Sequence, residues 1–252
     1  MAFAHILMTG ASSGIGESLA LAYGRAGVTL SLSGRDAVRL EAVAGCCRAR
    51  GATVDTIVLD VTETDAMARW IAARDAAMPL DLVIANAGVS AGLGAQGESA
   101  AATRHIFAVN LDGVLNTALP AIEFFRTRRR GQLAVISSLA SFRGVGGAPA
   151  YCASKAAVRV WGEGLRSALA KENIGVSVVC PGFVVSRMTD VNTFPMPFLM
   201  SAERSARIIQ RGLAANKGRI AYPWPMMAAV WLLAALPDVI ANAIGRVLPE
   251  KT

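Results

Sequence analysis

Charged and aromatic side chains are both scarce in this chain of 252 residues: Asp, Glu, Lys and Arg make up 17%, and Phe, Trp and Tyr 6%. Charge well under the roughly 25% usual for soluble domains excludes a chain held open by its own repulsion. With 54% apolar residues, the chain can bury a core without disulfides or metal staples. Basic and aromatic residues do not interleave, so nothing offers a stack for bases, and nucleic acid is excluded as a partner. No apolar run reaches the ~18 residues of a spanning helix. Cys46, Cys47, Cys152 and Cys180 show neither C-x-x-C nor Cys/His ligand spacing, so no metal site is expected. The start Met1-Ala2-Phe3-Ala4-His5 lacks the basic opening of an export signal, and a reducing, cytoplasmic setting is the expectation. The 24 glycines follow no period, which excludes collagen-like and repeat architectures.

What is present is a strong alternation. Short β-rich runs near His5–Thr9, Val28–Ser33, Thr53–Leu59, Leu82–Ala85, Gln132–Ser137, Gly175–Cys180 and Arg219–Tyr222 alternate with helical patterns, one of them a single long helix over Ala100–Thr127. The reading is one α/β domain over 1–252, a doubly wound parallel sheet with helices on both faces and ligands beyond the carboxyl ends of its strands. The run Arg126, Arg128, Arg129 and Arg130 reads as a solvated helix end. Two stretches break the pattern. Residues 187–202, with Pro195 and Pro197, read as a substrate lid without helix. Residues 223–252 read as an apolar extension of two short amphipathic helices, cut by Pro225 and Pro237. On a chain of net charge +7, Trp224 and Trp231 in that extension are compatible with peripheral contact at the acidic inner face of a membrane through 223–248; subunit packing or lid formation is the alternative.

The first strand runs straight into Thr9-Gly10-Ala11-Ser12-Ser13-Gly14-Ile15-Gly16. In such a turn Gly10 allows the bend, Gly14 lets backbone approach a pyrophosphate, and Gly16 lets helix and strand pack closely, while the new helix offers free N–H groups to phosphates. The second strand ends at Gly34-Arg35, where an acidic residue would hold a ribose 2′-hydroxyl. A guanidinium there suits a 2′-phosphate, so NADP(H) is favoured over NAD(H), unless Arg35 merely pairs with Asp36 while Asp36 caps the next helix. Tyr151 and Lys155 are four apart in a helical pattern, so an ammonium stands near a phenol and favours its ionised form. Ser138 lies at the mouth of the fifth strand.

These motifs, with Asp60-Val61, Asn86-Ala87-Gly88, Asn110 and Pro181-Gly182, arrive in an order that resembles a short-chain dehydrogenase/reductase of the compact kind, over residues 5–186. The resemblance implies a Rossmann-type fold and a nicotinamide cofactor. It implies that Thr9, Gly10, Ser12, Ser13, Gly14, Ile15 and Gly16 hold phosphate and that Asp60 and Val61 meet adenine. It sets Asn86, Ala87 and Gly88 beside the adenosine ribose, and Pro181, Gly182, Val184 and Ser186 beside the nicotinamide, with Thr189 able to replace Ser186. Among the catalytic group Asn110 holds a relay water, Ser138 orients the substrate oxygen, Tyr151 is the acid/base, and Lys155 binds the nicotinamide ribose and makes Tyr151 more acidic. The substrate would be a carbonyl compound or alcohol, apolar and lipid-like to judge from the candidate wall of Ser90–Leu93, Phe142, Arg143, Phe183, Met188 and Phe194–Met200. A homodimer or homotetramer follows from the same resemblance. Two other readings stand beside it: an idle NADP(H)-binding or redox-sensing interaction protein at a membrane surface, and a nucleotide-sugar epimerase or dehydratase, for whose larger substrate domain little chain remains.

Overall fold

The β-rich runs form seven strands: β1 (His5–Met8), β2 (Thr29–Gly34), β3 (Thr53–Val58), β4 (Leu82–Ala85), β5 (Gly131–Ile136), β6 (Ile174–Pro181) and β7 (Arg219–Tyr222). A computed structural model gives this fold and describes residues 3–90, 98–192 and 194–245. All seven strands are parallel and lie in the order β3-β2-β1-β4-β5-β6-β7. The chain winds outward from β1 to β3 and then returns to lay β4 on the other side of β1, so the order reverses between β1 and β4. The strands stand where the sequence places them, with ends shifted by a residue or so; β1, for example, stops at Met8.

Helices α1 (Gly14–Tyr23), α2 (Ala37–Ala49), α3 (Thr64–Ala77), α4 (Ala100–Phe107), α5 (Gly113–Arg128), α6 (Pro149–Leu169), α7 (Arg187–Asp190), α8 (Ala202–Ala214), α9 (Trp224–Ala235) and α10 (Asp238–Gly245) complete the described chain. Successive strand residues point to opposite faces, and both faces are covered. Ile6 and Met8 of β1 join Leu30, Leu32, Leu19, Ile209 and Leu213 in one buried core. Leu7, between them, joins Val83, Val135, Val178, Ile71, Phe125 and Val158 in the other. Each such side chain contributes about 1.5–3 kcal/mol by leaving water, and the strands accordingly read as near-continuous apolar runs.

Four expectations change. The helix expected over Ala100–Thr127 is α4 and α5 joined by a π turn at Ala108–Asp112, whose extra residue re-aims Asn110. The basic run at the end of α5 is not simply solvated. Arg128 grips buried Asp75 with two bonds of 2.6 and 2.9 Å, Arg126 pairs with Glu123 and Glu172, and Arg130 pairs with Asp81. The stretch read as helix-free opens with one short helix, α7. Finally, α9 is not amphipathic: no charged residue occurs between Arg219 and Asp238, so it is apolar on every side. Met226, Met227 and Val230 pack on the second core, while Trp224 and Trp231 are 78% and 60% exposed.

The segment 187–202 is tied at both ends. Val184 bridges to buried Met200, Val185 N–H donates to Met200 O at 2.9 Å, and Met200 N–H donates to Phe183 O at 3.0 Å. Phe194 meets Phe183 edge to face at 5.9 Å. Thr193 and residues 246–252 of the extension lie outside the described residues, as do Ala91, Gly92 and Leu93 of the expected substrate wall.

Candidate active site

The site begins where β1 ends. Thr9 is buried, and its Oγ1 accepts the N–H groups of Asn86 (3.2 Å) and Ala87 (3.3 Å). Asn86 answers with Nδ2, which donates to the carbonyls of Thr9 and Gly10, both at 3.0 Å. The glycine turn and the loop after β4 are thereby joined at the reversal point of the sheet, where ligands of such folds bind. Gly10 has φ +67°, and a Cβ there would stand 2.8 Å from Ala87 Cα; a Cβ on Gly16 would stand 2.1 Å from Gly10 O. Only glycine fits either position. Ser13, the N-cap of α1, makes no side-chain cap bond, so the first-turn N–H groups are left for an anion. Ser12 lies under Gly34, whose Cβ would come within 2.9 Å of Ser12 Oγ, and Ile15 leans half-buried on the core. A backbone cradle that side chains would fill is what a dinucleotide pyrophosphate requires, and the residues present fit it.

At the neighbouring strand ends the Arg35 guanidinium lies 3.7 Å from Asp60 Oδ2. It does not pair with Asp36, because that carboxylate caps α2 through Arg39 N–H (2.9 Å) and pairs with the Arg39 side chain (2.8 Å). Asp60 Oδ1 accepts both the N–H (2.9 Å) and the hydroxyl (2.8 Å) of Thr62. Burial raises the Asp60 carboxyl, but the Thr62 bonds and Arg35 outweigh it and hold it below the usual carboxylate range. Val61 is buried, and its carbonyl accepts Asn116 Nδ2 at 2.9 Å.

The four candidate catalytic residues meet at the start of α6. Ser138 follows β5; its Oγ accepts Ala140 N–H at 3.1 Å and shares a hydrogen bond with the Tyr151 phenol. One turn after Tyr151, Lys155 is buried, and its Nζ donates to Ile136 O at 2.9 Å and lies 5.8 Å from the centre of the Tyr151 ring. Ser137 Oγ donates to the Lys155 carbonyl at 2.7 Å. A Cβ on Gly88 would stand 3.1 Å from both Lys155 Nζ and Asn110 Oδ1, so this glycine closes over both. Asn110 exchanges bonds with the Val89 backbone (2.8 and 2.9 Å) and donates to Ser154 Oγ (3.0 Å), which donates to Tyr151 O (2.8 Å). Both amide hydrogens of Asn110 are thus used, leaving an Oδ1 lone pair for a water.

The electrostatics differ from the sequence expectation of an acidified phenol. Burial raises the Tyr151 phenol above its ordinary value; the Ser138 bond opposes this without overcoming it. Burial also pushes the Lys155 ammonium down to about 8. The reason is common to both: withdrawal from water disfavours phenolate and ammonium alike. Tyr151 therefore holds its proton at neutral pH, ready to give it.

Pro181 ends β6 and Gly182 follows it, with Gly182 N–H on Tyr222 O at 2.7 Å and Met226 Sδ 3.0 Å from where a Gly182 Cβ would be. Val184 is buried against Met200. Ser186 Cβ lies 3.0 Å from where a Cβ of Gly14 would be, which sets Ser186 over the glycine turn; Thr189 turns inward to Ser186 N–H (2.8 Å) and Val184 O (3.0 Å). Of the expected substrate wall, Phe142 stands between the Arg159 and Arg219 guanidiniums at 4.5 and 5.6 Å, while Met188 and Phe183 are half-buried. Sequence reasoning missed Glu163, which pairs with both arginines, and Glu98, which accepts Ala150 N–H at 3.0 Å. Arg159 and Glu163, four apart on α6, give a local charge-pair signal, whereas the contact of Glu98 with Ala150 crosses 52 positions and gives none.

A family model described as short chain dehydrogenase matches residues 4–194. An uncharacterized oxidoreductase of Myxococcus xanthus is 38% identical over 247 residues, covering 98% of each chain. Among solved structures, a short-chain dehydrogenase/reductase of Burkholderia phymatum in complex with NAD is similar with TM-score 0.85 and 23% identity, covering 94% of each chain. One from Sphingobium yanoikuyae in complex with NADPH is similar with TM-score 0.82 and 24% identity over 98% of this chain and 97% of that one.

Lys155 gives a signed pH dependence. It releases its proton at about 8 when folded and near 10.5 when unfolded, so between those values the unfolded chain binds more protons and the Lys155 contribution to stability rises with pH. Burial of Cys47, Cys152 and Cys180 raises their thiols and acts oppositely, but it cancels in a comparison with Lys155→Met. Urea denaturation without cofactor should show the difference between the two proteins shifting toward wild type by up to about 3 kcal/mol from near pH 7 to about pH 10. Parallel curves would mean that Lys155 ionises as an ordinary lysine.

Proposed function

The chain belongs to the short-chain dehydrogenase family and is an NAD(P)-dependent oxidoreductase of CH–OH groups, and from that premise we propose that it reduces the carbonyl group of an apolar, lipid-like compound with NADPH. The observation that carries the proposal is the hydrogen bond between the Tyr151 phenol and Ser138, with the Lys155 ammonium one turn on, 5.8 Å from the centre of the Tyr151 ring. The glycine turn would hold the pyrophosphate, Asp60 and Val61 the adenine, Asn86 to Gly88 the adenosine ribose side, Lys155 the nicotinamide ribose, and Pro181, Gly182, Val184 and Ser186 the nicotinamide ring. When bound, the nicotinamide supplies or accepts hydride. The side chains manage the oxygen. Ser138 and Tyr151 both donate to it as negative charge grows, and Tyr151 then transfers its proton. Lys155 stabilises the phenolate that remains, and Asn110 fixes the turn from which both act. Tyr151→Phe should lower kcat by about 10²–10⁴-fold while the Kd for NADPH, read by fluorescence titration, stays near wild type. An unchanged kcat would defeat the proposal.

Preference for NADP(H) is supported by Arg35, which is exposed beside Asp60 and free of Asp36, and by Gly34 in the place of an acidic side chain. Each charge-assisted bond to a 2′-phosphate is worth about 1.5–3 kcal/mol, so Arg35→Asp should cut kcat/KM for NADPH about ten- to a hundredfold and spare NADH. Equal use of both cofactors by the wild type would sink this assignment.

The same reading takes the working unit as a homodimer or homotetramer and sets α9 at an acidic lipid surface. Support for the lipid contact comes from exposed Trp224, Trp231, Leu232, Val239 and Ile240 on a basic protein. At about 1.5 Å per residue α9 spans only about 18 Å, and among the described residues no helix is long and apolar enough to cross a membrane. Vesicles of phosphatidylcholine with a minority of phosphatidylglycerol should sediment the protein, less so at high salt, and Trp231→Ser with Leu232→Ser should weaken this at least about tenfold. Wild-type protein left in the supernatant would exclude the contact.

A further inference from the structure

Helix α6 begins with unmet donors. Its N-cap, Ala148, has no side chain to bond the first-turn N–H groups, and Pro149 removes only one of them. Tyr151 sits in that turn. The missing acceptor comes from 52 positions away: Glu98 Oε2 takes the Ala150 N–H at 3.0 Å, with the Thr103 hydroxyl at 3.5 Å on the same oxygen. The other oxygen, Oε1, is buried without a hydrogen-bond partner. A carboxylate is thus kept partly desolvated at the positive end of the helix, where it is favoured and where it meets the backbone next to the phenol.

A second grip lies just beyond Tyr151, whose carbonyl accepts Ser154 Oγ, itself bonded by Asn110. Glu98 and Asn110 belong to the two ends of one short element. Glu98 precedes Ser99, the cap of α4, and Asn110 lies in the π turn that ends it. Held at the Asn110 end alone, the first turn of α6 can pivot about the Tyr151 carbonyl; a second point at Ala150 removes that freedom. We propose that Glu98 is a positioning residue that clamps the first turn of α6 from across the fold and so sets where the Tyr151 hydroxyl stands relative to Ser138.

Only the kinetic arm of the test rests on the reading of Tyr151 as proton donor. Glu98→Ala should lower kcat about ten- to a hundredfold, the cost of a small misplacement of a reacting group, with KM for NADPH within about twofold of wild type. Glu98→Gln should recover most of it, because the amide oxygen still accepts Ala150 N–H. Glu98→Asp keeps the charge but falls short of that N–H and should resemble Glu98→Ala. Amide hydrogen exchange at Ala150 should quicken in the Ala and Asp variants and not in the Gln variant. That readout needs no turnover, so it separates failure of the clamp from failure of the proposed reaction. Wild-type kcat and exchange in Glu98→Ala would overturn the proposal, as would an active Glu98→Asp beside a slow Glu98→Gln. Where Glu98→Ala does not fold, as judged by NADPH binding, the Gln and Asp variants carry the comparison.

Discussion

The site depends on a seam between two neighbouring strand ends. Asn86 gives both amide hydrogens to the carbonyls of Thr9 and Gly10, while Thr9 takes the N–H groups of Asn86 and Ala87. These bonds lie where β1 and β4 part company with their loops, so they fix the phosphate cradle on one side and the run to Gly88 on the other. Gly88 then closes over Lys155 Nζ and Asn110 Oδ1. One side-chain amide therefore sets the spacing between the glycine turn and the Ser138, Tyr151 and Lys155 cluster, which in the proposed reaction would meet opposite ends of the dinucleotide. Neither end could drift without stretching these part-buried hydrogen bonds at the strand ends.

The catalytic cluster is a site of stored cost. An ammonium buried against Ile136 O and a half-buried phenol beside it are each disfavoured in their charged forms, and a well-packed apolar pair would be more stable. In the proposed reaction that cost has a use, because a proton donor partly shielded from water, with a cation behind it, would act on a growing oxyanion far more strongly than the same groups in solvent. The bond from Ser138 and the clamp from Asn110 through Ser154 keep that pair in one arrangement, so the cost goes into orientation and not into disorder.

Legibility in the sequence follows the range of the interaction. The seven strands, the glycine turn and the pairing of Tyr151 with Lys155 rest on periods and spacings within a few residues, and all stand where the sequence places them. The π turn at Asn110 was not legible, because one extra residue inside a helical run leaves the apolar pattern almost unchanged. Glu98 was invisible for another reason: its contact with Ala150 crosses 52 positions; Glu163 had a legible partner in Arg159 four residues earlier, but its second pair, with Arg219, lies 56 positions away. The spacing of Tyr151 and Lys155 also gave proximity without environment. It set a cation by a phenol but could not show how far each would be withdrawn from water, and that withdrawal decides the direction in which each titrates.

The late part of the chain bears on the substrate side of the cleft more than on its chemistry. Helix α9 leans on Gly182 through Met226 and shares a cluster with Phe142, and these two residues lie on the loops leaving β6 and β5. Phe142 in turn is held between Arg159 and Arg219, both tied to Glu163 on α6. Helix α9 thus touches the loops that leave β5 and β6, while the glycine turn lies at the end of β1. Because α9 is apolar on every side, its inner face is satisfied by Met226, Met227 and Val230 against the core, while its outer face still favours leaving water.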